Sequence, residues 1–503
     1  MEITIRQANI APYAADLIIV NLFEGVLHPG GATGAVDHAL GGRISEIIAL
    51  GDCTGKLGET TLLYTSGALP APRVLVVGLG DRERFDLQAV RTATAKAIAA
   101  ANKAGAKTVA TIVHGAGIGG LDPQDAAQAV AEASMLELYT MPRRSSEGGY
   151  GAKIETLTVV EYSSTQLPAI TKGVETGRII AESAILARDL EAQPANIATP
   201  TMIAETARQM AAETGLDCTI LERADMEALG MGILLAVAKG SDEPPKFVIL
   251  EHNKARANEL DTVVLVGKGV TFDTGGYSLK IARPSLMWKM KDDMTGAADV
   301  IAALRAAALL DLPLHVVGLA PLTENTINGR AQKPGDIFTG MTGKTMEVIS
   351  TDAEGRMILA DALAYAGRYA DAKAVVDLAT LTGAISTALG AQAAGLFTEE
   401  EALRDRLMAA AAATGERLWP MPMFAEYAEE IRSDFADVKN STAPKTKAGV
   451  STSAKFLQHF TEDYPWAHLD IAGMAWSEKA RPVYPAGATA FGVRLLVQFL
   501  RDW

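Results

Sequence analysis

Apolar and polar positions between residues 262 and 381 change period in a regular alternation. TVVLVG (262–267) is a short continuous apolar run closed by glycine, the pattern of a strand buried on both faces. GAADVIAALRAAALL (296–310) instead spaces its apolar residues as a helix does. LHVVGLAP (314–321), the Ala-rich stretch after Glu354 and AVVDLATL (374–381) continue as strand, helix and strand. This alternation predicts a mostly parallel central sheet covered by helices. Ligands of such sheets sit beyond the carboxyl ends of the strands.

An earlier part of the chain reads as a separate, smaller α/β unit. RVLVVGLG (73–80) is a strand with a glycine turn, followed by an Ala-rich helix, a stop at Gly105 and a second strand. A polar patch, MPRRSSEGGYGAK (141–153), and the strand TLTVVEY close it. The pair Gly78-x-Gly80 resembles a dinucleotide fingerprint, but Glu83 stands where the third glycine belongs. A plain strand-to-helix turn is the better reading. The predicted organisation is two α/β domains: a smaller one at 1–167 and a larger one at 195–503, joined by a helix over 168–194. Thr398 and Glu401 have the spacing of a capping box opening a later helix.

A net charge of -14 argues against sequence-independent nucleic-acid binding and against anionic membranes. Two unrelated cysteines, Cys53 and Cys218, build neither a disulfide framework nor a cysteine zinc motif. The first residues lack the basic flank of a signal peptide, and no apolar run reaches the length of a membrane span. A reduced, cytoplasmic, soluble protein is expected.

Three stretches that follow predicted strands concentrate charge. GKGVTFDTGGYSLK carries Lys268, Asp273 and Lys280; KMKDDMTGAA carries Asp292 and Asp293; STDAEGRM carries Asp352, Glu354 and Arg356. Singly, Asp293 and Asp352 read as helix caps, and Lys268 as a solvated lysine. Jointly they place at least four carboxylates at one sheet edge, where mutual repulsion holds some protonated unless a cation joins them. Asp352 and Glu354, at i and i+2 of an extended segment, would point to one side. No histidine lies in these stretches. Oxygen-rich ligation suits Mg²⁺ and Mn²⁺, and Zn²⁺ also accepts Asp and Glu.

STDAEGRM resembles the octapeptide signature of the leucyl aminopeptidase (cytosol aminopeptidase, M17) family. VGKGVTFDTGGYSLK, MKDDMTGAA, RAQKPGDI, SDFADVKN and HLDIAG are similar to further blocks of that family in the same order. The resemblance implies a catalytic dinuclear-metal peptidase domain using Zn²⁺ or Mn²⁺. It implies that Asp273 and Glu354 bridge the ions, Asp352 completes one site, and Lys268 and Asp293 complete the other. Lys280 would donate to the developing oxyanion, and Arg356 would hold a bicarbonate that acts as general base. Met290, Thr380, Gly383, Ala472 and Ala475 would line a pocket for the first side chain, whose small apolar character fits leucine or methionine. Peptides with a free N-terminus are the implied substrates, and a homohexamer the implied assembly. Ser350 and Met357 replace the family's usual asparagine and leucine, and Ala448 and Ala490 stand where glycine is common.

Two rivals belong to other classes. A phosphohydrolase using the same carboxylates would bring a phosphate-cradling loop, and no G-x-x-x-x-G-K-[ST] sequence occurs. A DNA-binding or scaffold role, known among relatives of the family, is opposed by the net charge and by the complete set of candidate ligands.

Overall fold

The computed structural model describes residues 1–142, 151–281, 286–369, 371–442 and 447–503. They form two compact units, Met1–Ile185 with Lys479–Ala486, and Leu186–Glu478 with Gly487–Trp503. Most of the polar patch read at 141–153 lies outside the described residues. The long helix read over 168–194 runs from Leu167 to Ala192.

The first unit contains strands β1 (Glu2–Gln7), β2 (Leu17–Phe23), β3 (Thr60–Tyr64), β4 (Arg73–Gly80), β5 (Thr108–Thr111) and β6 (Thr156–Glu161). They form one sheet in the order β1-β6-β5-β2-β4-β3, parallel except where the edge strand β3 meets β4. Leu75 and Val77 pack against Ala93 and Ala97 of the helix Leu87–Lys103, while Val74 and Val76 join a cluster with Val36 and Ile44. Both faces of β4 are therefore covered, which explains its unbroken apolar run. The glycines of β4 serve close packing rather than cofactor binding: a Cβ on Gly78 would lie 2.0 Å from the Lys56 carbonyl oxygen. Between the helices Leu87–Lys103 and Pro123–Glu137, buried Arg91 and Glu132 pair at 3.0 Å.

The second unit is built from β7 (Asp217–Leu221), β8 (Lys246–His252), β9 (Thr262–Gly267), β10 (Gly269–Asp273), β11 (His315–Asn325), β12 (Ile337–Thr339), β13 (Thr345–Glu347), β14 (Ala372–Ala379), β15 (Ala394–Phe397), β16 (Leu418–Pro420), β17 (Val438–Lys439) and β18 (Trp466–Asp470). Its main sheet has the order β16-β15-β18-β14-β9-β11-β8-β7, with β10 added beside β11. The centre, β18-β14-β9-β11-β10, is parallel; β8, β7 and β15 run antiparallel to their inner neighbours. Alternation along β11 assigns the covering helices to opposite faces. Gly318 faces Val300 and Leu304 of the helix Thr295–Leu309, whereas Val317 and Leu319 share a core with Ile358 and Leu359 of the helix Glu354–Ala366. A leucine side chain fully buried in such a layer contributes about 1.5–3 kcal/mol.

One local expectation fails. The helix Glu401–Thr414 opens from Glu400 with no side-chain cap. The Thr398 hydroxyl instead donates to the Trp466 carbonyl at 2.7 Å and accepts the Glu400 amide at 3.0 Å. A buried strand carbonyl lacking a partner outcompetes a helix end that solvent can satisfy.

Candidate metal centre

Lys268 sits where the chain steps from β9 directly into the short strand β10. Its amide donates to the Leu378 carbonyl (3.0 Å), and its carbonyl accepts the Ala297 amide (2.9 Å). This three-way junction leaves no room for side chains. A Cβ on Gly267 would lie 2.2 Å from the Gly296 carbonyl oxygen, and one on Gly296 would lie 2.2 Å from that of Leu378. The Lys268 side chain is buried and aims its Nζ at Asp293 Oδ1 (2.6 Å), Glu354 Oε1 (3.1 Å) and the Thr380 carbonyl (2.9 Å).

Neither aspartate read as a cap is one. The helix Thr295–Leu309 opens from Met294 and the helix Glu354–Ala366 from Ala353, both without a side-chain cap. Both carboxylates are thus released for the cluster. The segment 351–353 is a turn entering the helix rather than extended chain. Alternation along a strand therefore does not bring Asp352 and Glu354 together; the turn does. Asp273, Asp352 and Glu354 each present an oxygen within 4.8 Å of the others. Lys280 bridges two of them, with Nζ 2.7 Å from Asp273 Oδ2 and 2.6 Å from Asp352 Oδ1.

The loops carrying these groups are clipped together. The Thr351 hydroxyl donates to the Gly275 carbonyl (2.6 Å) and accepts the Ser278 amide (2.7 Å). Gly275 is at φ +86°, where a Cβ would also lie 2.7 Å from Asp352 Oδ1. Two positioning residues went unread in the sequence. Asn325, at the end of β11, donates to Asp273 Oδ1 (2.7 Å) and to the Thr351 carbonyl (3.0 Å). Asn440 accepts the Ile349 amide at 2.8 Å, donates to the Ser350 carbonyl at 2.7 Å, and receives Arg356 Nη1 on its own carbonyl at 2.7 Å. An asparagine at a strand end was the available signal in both cases.

Electrostatics in the cluster are unbalanced. Burial, then the neighbouring carboxylates, push Asp352 up to about 6. Burial likewise raises Asp273 and, more strongly, Asp293. Glu354 would be raised by burial, but Lys268 and Lys280 hold it below the ordinary range. For both lysines the surrounding carboxylates outweigh burial and raise them. Asp293 Oδ2 and Arg356 Nε are buried without a hydrogen-bond partner among the described residues, and burial lowers the Arg356 guanidinium to about 10. Hard oxygen donors brought together, disfavoured as separate anions and partly unpartnered, fit divalent cations. The unpartnered Arg356 nitrogen fits a small anion.

The five residues expected in a side-chain pocket have varied surroundings. The Thr380 hydroxyl donates to Asp293 Oδ1 at 2.8 Å, inside the cluster. The Ala472 amide donates to Asp470 Oδ1, which also accepts the Leu381 amide, so these two loops are tied. Met290 lies on the short 3₁₀ turn Met287–Asp292 that precedes Asp293, and Gly383 is exposed at a helix start. Ala475 is buried, and its carbonyl receives the Thr489 amide.

A mainly parallel sheet that carries at its carboxyl edge an acidic, lysine-containing cluster able to hold metal ions has the make-up of a metal-dependent enzyme. Sequence-family comparison makes the class specific. Residues 185–497 match the catalytic domain of the cytosol aminopeptidase family and residues 19–147 its N-terminal domain. A probable cytosol aminopeptidase of Geobacter sulfurreducens is 42% identical over 501 residues, spanning 100% of this chain and 99% of that protein. One from Roseiflexus castenholzii is 42% identical over 509 residues, with 100% and 99% covered. A solved mutant of tomato leucine aminopeptidase superposes with a TM-score of 0.88 at 32% identity, covering 100% of this chain and 97% of that one. The bottromycin maturation enzyme BotP in complex with Mn gives 0.85 at 34%, covering 97% and 99%. The chain belongs to the cytosol aminopeptidase family and is a metal-dependent aminopeptidase. Among the described residues, no helix is long and apolar enough to cross a membrane.

Proposed function

We propose that the chain releases the first residue of peptides with a free N-terminus, preferring leucine or another apolar side chain. The convergence of Asp273, Asp293, Asp352 and Glu354 around Lys268 and Lys280 supports this most strongly. Asp273, Glu354, Asp352, Lys268 and Asp293 would together hold two divalent ions, with Asp273 and Glu354 serving both, Asp352 one, and Lys268 with Asp293 the other. The ions are Zn²⁺ or Mn²⁺, with Mg²⁺ as a further candidate. Bound there, such a pair supplies a shared water of depressed pKa and polarises the scissile carbonyl.

The protein's own groups complete the chemistry. Cationic charge beside Lys268 would offset the carboxylate field that keeps its ammonium protonated, so that the amine, its proton lost to solvent, would serve as a ligand. Lys280, beside Asp273 and Asp352, would offer its ammonium to the substrate carbonyl oxygen as negative charge develops there. Arg356, through its unpartnered Nε, would hold bicarbonate, which would supply a general base. Met290, Thr380, Gly383, Ala472 and Ala475 line the proposed side-chain pocket. Assembly as a homohexamer belongs to the same proposal, and the particle mass in solution reads it.

A panel of dipeptides and their N-acylated counterparts tests the assignment, assayed after chelation and after return of Mn²⁺ or Zn²⁺. Free dipeptides with leucine first should be cleaved fastest, chelation should stop turnover, and either ion should restore it. Cleavage of the N-acylated peptides at a comparable rate would contradict the requirement for a free N-terminus.

A further inference from the structure

The first unit holds a cavity of about 710 Å³ for which the peptidase chemistry has no use. All five parallel strands end at it. Ile10 follows β1, Asn21 lies in β2, Leu79 in β4 and Glu161 in β6, while Gly115 follows β5. β2 and β5 are neighbours from which the chain builds outward in opposite directions, to β4 and β3 on one side and to β6 and β1 on the other. A crevice at that reversal is where open parallel sheets take ligands.

Two glycine-containing turns supply the backbone polar part of the lining. One, Gly30–Thr33, leads into the helix Gly31–Ala39; the other is Gly115–Gly119. The amides of Gly31, Ala32 and Thr33, and those of residues 116–119, have no acceptor among the described residues. The second turn must be glycine to fold this tightly: Gly115 is at φ +93°, and a Cβ on Gly119 would lie 2.7 Å from the Gly115 Cα. No lysine or arginine lines the cavity. The Glu161 carboxylate already accepts the Ser163 amide at 2.7 Å. An anion would therefore be recognised by backbone N–H groups, as phosphates commonly are.

The remainder of the wall includes an apolar patch of Ile10, Phe23 and Val26, together with the polar side chains of Asn9, His28 and Gln166. The Asn21 carboxamide is fixed there by the fully buried His114, Nδ2 to Nδ1 at 3.0 Å, and the exposed Tyr162 stands at the rim. A cavity of this size exceeds what a free phosphate or a sugar phosphate fills. Its apolar patch and the carboxamides of Asn9, Asn21 and Gln166 suit a planar heterocycle with a polar edge.

We propose that this cavity binds a nucleoside phosphate, its phosphates on the two glycine turns and its base against the apolar patch beside Asn21. The site is independent of the peptidase assignment.

Titration calorimetry of the full-length, metal-loaded chain with ADP, adenosine and pyrophosphate tests it. ADP should bind saturably at one site per chain, and adenosine and pyrophosphate should each bind about tenfold or more weakly. Ala32→Glu places an acid in the first helical turn, which suits the helix, but sets a carboxylate beside the phosphates. It should weaken ADP about tenfold or more, while the uncharged Ala32→Gln stays within about threefold of wild type. Absence of saturable ADP binding would overturn the proposal. So would pyrophosphate binding as tightly as ADP, or ADP binding undiminished by Ala32→Glu, which would place the nucleotide at the metal cluster instead.

Discussion

Replacing Gly355 with alanine adds one methyl group directly against Lys268 in the candidate metal centre. The new Cβ would lie 2.4 Å from Lys268 Cε and 2.6 Å from its Nζ. Ordinary contact begins near 3.4 Å, so the lysine must retreat by about 1 Å. It is buried and held by Asp293, Glu354 and the Thr380 carbonyl, so the retreat breaks contacts it cannot remake elsewhere. A misplacement of about 1 Å in catalytic machinery costs on the order of 10²-fold, or roughly 2.7 kcal/mol of barrier. Gly355 is the second residue of its helix, where alanine is favoured by up to about 1 kcal/mol. Helix propensity therefore cannot account for a loss. The assay is steady-state hydrolysis of a leucyl p-nitroanilide with saturating Mn²⁺, alongside a thermal melt. The expected result is a kcat/KM lower by roughly 10²-fold with the fold retained. Wild-type kcat/KM would refute the claim that the Lys268 position matters.

Other perturbations reach different parts of the account. Lys280→Met should lower kcat about 10²–10³-fold with less change in KM, since its contribution is assigned to the transition state; equal loss in binding alone would reassign it. Met290→Ala should shift the ratio of kcat/KM for leucyl over alanyl substrates by roughly tenfold, as one to a few methylenes allow, and an unchanged ratio removes it from the pocket. His114 is lowered from 6.5 to about 4 by complete burial, so the unfolded chain takes up its proton first as pH falls. Its contribution is intact above pH 6.5 and declines by about 3 kcal/mol on reaching pH 4. Urea unfolding of wild type against His114→Gln should show that slope in the wild type alone. Ala448 is exposed at φ +52°, so Ala448→Gly should raise stability by about 1 kcal/mol, read from the denaturation midpoint.

The main architecture was legible because each part has a local cause. Buried parallel strands write continuous apolar runs, helices write their own period, and charges crowded into three stretches have no role in either. Even the left-handed backbone at Ala448 and Ala490 coincides with the two positions noted as departures from glycine. What stayed hidden depends on partners distant in sequence. β10 is a strand only because β11 is long enough to pair with β9 first and β10 afterwards. Asp293 and Asp352 match helix caps in type but stand one residue before the cap positions Met294 and Ala353, and pair with Lys268 and Lys280 instead. The return of Lys479–Ala486 to the first unit has no compositional mark. Asn325 and Asn440 act through backbone atoms 26 and 90 positions away, a reach that no local pattern encodes.

The central claim is that Asp273, Asp293, Asp352, Glu354 and Lys268 hold a pair of divalent ions on which turnover depends. Elemental analysis of Mn²⁺-equilibrated wild type and Glu354→Ala, with turnover measured on the same samples, tests it most directly. Two ions per wild-type chain are expected, with loss of both bound metal and activity in the variant. Full turnover by Glu354→Ala, or by a wild-type chain carrying no metal, would contradict the claim.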